Sequence, residues 1–201
     1  MTPIPKNRPF KDVPRLLQMR SEIQGKKIGE YETSAVTAFL AWRAFLIVAR
    51  QTEVGKEKDV CEKKIEEMLK QHNELKEVTE KFVKSLKPLI QQSENVVKDW
   101  YCDIAQEPQY PFSVDTIRQK IKKMNEAFTH PEGWKGISRD ITYHAYAIRN
   151  CVLAHGTMHS TGNLFQSIMP AFDNFVASIA CAGYATQSKI TFNEAKEECH
   201  V

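Results

Sequence analysis

The stretch ITYHAYAIRNCVLAHG, residues 141–156, places an apolar helical repeat directly before a compact set of polar side chains. Its apolar residues recur at the spacing of one helix face. We therefore expect the following side chains to form a buried stripe: Ile141, Ala145, Ile148 and Val152. Glycine is common just past the end of a helix, so Gly156 predicts where this one ends.

Arg149 and His155 flank that stripe on opposite sides. On a regular helix they would lie about 120° apart around the axis and roughly 9 Å apart along it. An arginine offers planar donors suited to a phosphate, and a histidine titrates near neutrality and can accept or donate a proton. A second interpretation stays open, in which the helix dipole favours a histidine at the helix end and the arginine is solvated.

Four further segments show helical periodicity, and strand signals are almost absent. The residue counts of eight glycines and nine prolines also argue against a loop-rich β protein. We therefore predict an all-α protein, a bundle of about five or six helices. The segments are residues 31–52, a Glu- and Lys-rich run at 56–87, residues 114–128 capped by Ser113, and residues 163–185 with Pro170 inside. Residues 89–100 are expected to continue helical after Pro88.

The predicted organisation has three parts. Residues 1–29 form a basic, Pro-containing N-terminal arm that we expect to pack loosely. Residues 30–187 form the helical bundle, which includes the charged helical segment at 56–87. Residues 188–201 are expected to be a polar C-terminal tail.

Composition excludes several classes of protein. The net charge of +3 permits nucleic-acid binding without requiring it. The five cysteines include no Cys-x-x-Cys pair, which argues against a disulfide framework and a zinc module. We expect no metal and no other cofactor. The N-terminus has no apolar signal region, and the apolar stretch 35–49 is broken by Arg43 and too short to span a bilayer. We therefore expect a cytoplasmic protein that does not bind membranes.

The order Arg149-Asn150, a short apolar run and then Ala154-His155-Gly156 resembles the signature of the HEPN superfamily of helical ribonuclease domains. That signature is an arginine, a polar residue and a histidine, with four to six residues between the arginine and the histidine. Here five residues intervene, one more than in the commonest form. A Trp-centred segment around Arg43 resembles several HEPN branches, which usually carry Glu at that position. The resemblance covers residues 30 to 187.

The resemblance implies a metal-independent endoribonuclease that cleaves single-stranded or structured RNA, such as tRNA or mRNA, through attack by the ribose 2′-OH. Arg149, His155 and Asn150 would be its catalytic residues. We assign Arg43 and His159 to RNA binding, although a surface arginine and a loop histidine are the simpler interpretations. The resemblance also implies a toxin or antiviral defence effector, for which an antitoxin or regulatory protein would be a further partner.

A homodimer with a composite active site is the expected assembly. One histidine per chain leaves the reaction without a separate acid and base, and a two-fold axis would supply a second copy of every group. We expect Ile148, Cys151 and Val152 to lie between the core and this interface.

Two other classes of function remain open. The first is a non-catalytic HEPN-like RNA-binding or scaffold protein, consistent with the extra residue in the motif and with Arg43. The second is a helical protein–protein adaptor whose working surface is the charged segment 56–87. We expect His144 to be a core histidine in all three cases, since it shares the buried side of its helix.

Overall fold

The computed structural model describes residues 11–28, 31–52, 55–101, 113–150 and 162–201. These residues form an all-α structure, apart from a two-residue antiparallel pairing of β1 (Lys27–Ile28) with β2 (Tyr31–Glu32). Nine α-helices lie in these ranges: α1 (Asp12–Ile23), α2 (Ser34–Thr52), α3 (Glu57–Gln71), α4 (Lys76–Ser85), α5 (Glu94–Trp100), α6 (Val114–Ala127), α7 (Ser138–Ile148), α8 (Gly162–Ser188) and α9 (Phe192–Cys199).

The all-α class is confirmed, whereas the count of five or six helices is wrong. Helices form within both the predicted arm and the predicted tail, and the segment before residue 102 ends in the short, separate helix α5. Short 3₁₀ segments lie between consecutive helices at Asn73–Leu75, Lys87–Gln91 and Gly133–Ile137.

Helices α2 and α8 form the centre of the core. Trp42 of α2 stacks on Phe172 of α8 with ring centroids 6.1 Å apart, and both are buried. The two backbones approach closely where Gly183 faces Val48, because a Cβ added at Gly183 would lie 2.1 Å from Val48 Cγ1. The apolar side chains of both helices therefore pack directly against each other.

The N-terminal segment is not a loosely packed arm. Helix α1 packs on α2 and buries Val13 and Leu17 completely. Arg20 is also buried and donates to Asp173 Oδ1 of α8 at 2.6 Å. The expectation of a solvated arm failed because a buried ion pair between residues so far apart in sequence leaves no local signal. Residues 1–10 lie outside the described part.

The C-terminal segment is likewise a packed helix rather than a polar tail. Thr191 and Glu194 form a capping box, in which each side chain bonds the other residue's backbone N–H. Helix α9 buries Phe192, Ala195 and Cys199 and packs against α8 and α1. Its three buried residues follow helical spacing, but the surrounding charges hide that pattern in the sequence.

The charged segment 56–87 folds as the two helices α3 and α4, with a solvated face and a buried face. The exposed Glu77 and Lys81 form an ion pair at 2.6 Å on the solvated face. Helix α3 packs on α7, and α4 packs on α8. Among the helices that the structure describes, none combines the length and the apolar content that crossing a bilayer requires.

Candidate functional site

Helix α7 carries Arg149 at its end and is enclosed along most of its length. Ile141, Ala145 and Ile148 are fully buried, which confirms the predicted stripe as far as the structure describes it. Because Ile148 has no exposed surface in the single chain, the prediction that it is shared with a dimer interface is wrong. The less buried positions Tyr143, Tyr146 and Arg149 follow helical spacing.

The helix changes geometry where the motif begins. Arg149 and Asn150 continue α7 as a π-helical turn. A π turn spaces its hydrogen bonds five residues apart rather than four, so it takes up one residue more than an α turn, and such turns are frequent at functional sites. This local widening lies at the start of the segment from Arg149 to His155.

The Arg149 guanidinium is held by three side chains. Nη1 donates to Asn150 Oδ1 at 2.6 Å, and Nη2 lies 3.3 Å from Glu57 Oε1 of α3. The guanidinium carbon lies 5.9 Å from the centre of the Tyr146 ring, a cation–π distance. Arg149 and Asn150 are thus in direct contact, with Arg149 partly exposed and Asn150 nearly buried.

Glu57 links this arginine to a second one. Its other oxygen, Oε2, accepts from Arg50 Nη2 at 3.0 Å, near the C-terminal end of α2. Three helices therefore meet at one carboxylate. The cluster of Arg50, Glu57 and Arg149 carries one more positive than negative charge, so it still favours an anion.

Two further side chains beside Glu57 stay uncharged. Burial, reinforced by the negative charge of Glu57, raises the pKa of Cys61 to about 12, so its thiol is protonated near neutral pH and unsuited to nucleophilic attack. Burial and Glu57 also raise the pKa of Tyr146, against the opposing charge of Arg149 and a hydrogen bond with Asn150. Neither group adds a negative charge that would repel a phosphate.

His144 is a core histidine, as predicted. It is fully buried, and its Nδ1 lies 2.5 Å from the Tyr101 hydroxyl. Burial lowers the pKa of His144 to about 3, and the positive charge of Lys120 acts in the same direction, whereas Asp140 opposes both. His144 is therefore neutral at physiological pH and has no access to a substrate.

The other predicted site residues are placed as follows. Arg43 lies exposed on α2, seven residues before Arg50 and so on the same face, about 10 Å along the axis. No described contact joins it to Arg149. His155 and His159 lie outside the described residues, as do Cys151 and Val152.

Sequence reasoning missed Glu57, Cys61 and Tyr146. Tyr146 had a usable signal, because it stands three residues before Arg149 and such residues are neighbours on a helix. Glu57 had none, because it is one of many acidic residues in the charged segment and only tertiary packing brings it to Arg149.

Within the described ranges, no group of three or more His, Cys, Asp and Glu side chains is close enough to hold a metal ion. Comparisons with protein-family models, with curated proteins and with solved structures give no match for this chain. A proposal for its function therefore depends on its own side chains.

Proposed function

We propose that this protein is a metal-independent endoribonuclease of the HEPN type, with Arg149, Asn150 and His155 as its catalytic residues. The observation that carries the proposal is the partly exposed guanidinium of Arg149, which is bonded to Asn150 at the point where α7 continues into a π turn. An oriented guanidinium at the protein surface is suited to bind a phosphodiester, because its paired donors match two phosphate oxygens.

The reaction needs no group beyond the RNA and protein side chains. A base removes the proton of the ribose 2′-OH, and that oxygen attacks the adjacent phosphorus. The bond from phosphorus to the 5′-oxygen breaks, and an acid protonates the leaving oxygen. The products are a 2′,3′-cyclic phosphate and a 5′-hydroxyl. Arg149 stabilises the charge that develops on the phosphoryl oxygens, and Asn150 keeps the guanidinium in place.

His155 is the proposed proton-transfer residue. The other histidine of this region, His144 on α7, is excluded from that role. His144 is buried and neutral, so it cannot exchange protons with a substrate. One such histidine per chain leaves either the acid or the base to a second copy. We therefore include a homodimer with a composite site in the proposal, and an antitoxin or regulatory protein as the partner that would restrain a toxin or defence effector.

The test is cleavage of total RNA by purified protein in EDTA, with wild type compared with His155→Ala. The expected result is fragmentation by wild type and none by the variant. His130→Ala is the matched control, since His130 is exposed on the turn after α6 and far in sequence from the motif. Equal cleavage by wild type and His155→Ala would refute the proposed role of His155.

A second function, RNA binding without cleavage, is favoured by one observation. The Arg149 guanidinium already has an anionic partner, Glu57, in the free protein. In a protein that only binds RNA, the arginine exchanges the Glu57 carboxylate for an RNA phosphate, and no histidine is needed for proton transfer. Salt-sensitive binding of RNA, with no cleavage in any condition, would select this function. Arg43 belongs to the proposed RNA-binding surface under both functions.

A further inference from the structure

Two arginines from different helices converge on one carboxylate. Arg50 Nη2 lies 3.0 Å from Glu57 Oε2, and Arg149 Nη2 lies 3.3 Å from Glu57 Oε1. Each arginine takes one of the two oxygens, so both guanidinium groups face the space that the carboxylate fills. A group with two or more anionic oxygens at that position would meet both arginines at once.

The carboxylate is an incomplete partner for this pair. Its Oε1 is buried, yet it accepts no hydrogen bond within the part of the chain that the structure describes, so its contact with Arg149 is only electrostatic. The side chains of Arg50 and Arg149 are 42% and 29% exposed, and that of Glu57 is 20% exposed. Arg50 is open to water, and an ion pair that water can reach is weak, so an anion with more oxygens can replace the carboxylate there.

A phosphate meets the requirement better than the carboxylate does. It has more oxygens, arranged in three dimensions, and arginine recognises them through paired donors. The two arginines carry two positive charges against the single charge of Glu57, so an anion with access to both is attracted even before Glu57 moves. Cys61 and Tyr146, the neighbours of Glu57, remain uncharged and do not oppose it.

We propose that Arg50 and Arg149 together bind one phosphate group of an RNA strand, and that Glu57 occupies this site in the free protein and is displaced when RNA binds. The inference deepens the proposed function and rests on it for the identity of the ligand. It adds Arg50 as a second phosphate-binding residue. It also makes Glu57 an internal competitor that holds both arginines in position until the strand arrives.

The experiment measures binding of a fluorescent 2′-O-methyl oligoribonucleotide, which has no free 2′-OH to attack and therefore stays intact. Affinity is compared for wild type, Glu57→Gln and Arg50→Gln, and Arg139→Gln is the control because Arg139 is exposed on α7 and makes no described contact with Glu57. Glu57→Gln should tighten binding about tenfold, since the competing charge is gone.

Arg50→Gln should weaken binding about tenfold and lower the slope of log affinity against log salt by about one, as expected for the loss of one phosphate contact. Arg139→Gln should stay within about twofold of wild type. Urea unfolding of each variant shows whether it is folded. If one variant is not folded, Arg50→Lys, which keeps the charge but loses the paired donors, should still bind more weakly than wild type.

The inference is overturned if Arg50→Gln binds like wild type, if folded Glu57→Gln binds more weakly, or if the oligonucleotide does not bind at all. These results are separable from failure of the proposed function. Binding that changes as expected, in a protein that cuts no RNA, would refute the ribonuclease and leave the phosphate site intact. Cleavage that depends on His155 but not on Arg50 would do the reverse.

Discussion

Replacing His144 by Gln should flatten the dependence of stability on pH between pH 7.5 and 4.5. In the folded protein, burial lowers the pKa of His144 to about 3, so the ring stays neutral throughout this range. In the unfolded chain a histidine titrates near pH 6.5 and takes up a proton as the pH falls. Unfolding therefore binds a proton below pH 6.5, and stability is lost as the pH decreases.

The magnitude follows from the gap between the two pKa values. At pH 4.5 the unfolded chain is about two pH units below its histidine pKa, while the folded ring remains neutral. His144 should therefore cost about 2–3 kcal/mol of unfolding free energy at pH 4.5 relative to pH 7.5. The carboxylates also titrate in this range, but they are common to wild type and variant and cancel in the comparison.

The assay is urea denaturation of wild type and His144→Gln at pH 7.5, 6.5, 5.5 and 4.5. His130→Gln serves as the control, since His130 is exposed and its replacement should leave the pH dependence as in wild type. The variant loses the contact with Tyr101 and should be less stable at pH 7.5, but the difference from wild type should shrink as the pH falls. A constant difference at all four values would refute the conclusion that His144 is held neutral.

Three further outcomes are expected. Arg149→Lys should cut RNA nearly as poorly as Arg149→Ala, about 10²–10³-fold below wild type, because lysine lacks the paired donors; a lysine variant with most of the activity would reduce the arginine to a point charge. Gly183→Ala should lower unfolding free energy by about 1–3 kcal/mol through overlap with Val48, whereas Gly162→Ala, with open space around its Cβ position, should change little; equal losses in urea would contradict the close approach. Heterodimers of wild type with Arg149→Ala, isolated through different tags, should keep well under half the cleavage activity if the site is composite, and about half if each chain works alone.

Periodicity predicted the helices whose apolar stripes are long. Helix α6 spans Val114–Ala127 and is capped by Ser113, whose side chain accepts from the Thr116 backbone N–H, as its sequence indicates. Helix α8, at Gly162–Ser188, differs from its predicted range by only a few residues at either end. Both predictions agree with the structure because the burial of one helix face produces a local sequence pattern that repeats over several turns.

The terminal helices were missed for two different reasons. Helix α9 had a readable start, since Thr191 and Glu194 stand in the order of a capping box, but its few apolar residues are spread among charges. Helix α1 is anchored by the buried pair of Arg20 and Asp173, which join residues at opposite ends of the chain. No window of the sequence contains that information.

The candidate site also combines a local contact that the sequence indicates with a long-range contact that it does not. Arg149 and Asn150 are adjacent in the motif, and their side-chain bond is a local consequence of that order. Glu57 reaches Arg149 only because α3 packs on α7, and its bond to Arg50 depends on the contact between α2 and α3. The contact between two neighbours on one helix could be predicted from the sequence. The position of the carboxylate that pairs with Arg149 could be found only from the tertiary structure.

The most direct test of the proposed chemistry is the identity of the products from one RNA oligonucleotide and the DNA of the same sequence, both incubated with wild-type protein in EDTA. We expect that the RNA is cut, that the upstream fragment ends in a 2′,3′-cyclic phosphate or its 3′-phosphate hydrolysis product, and that the downstream fragment begins with a 5′-hydroxyl. The DNA should remain intact, because it lacks the attacking 2′-OH. Equal cleavage of the DNA, or complete loss of RNA cleavage in EDTA, would contradict it.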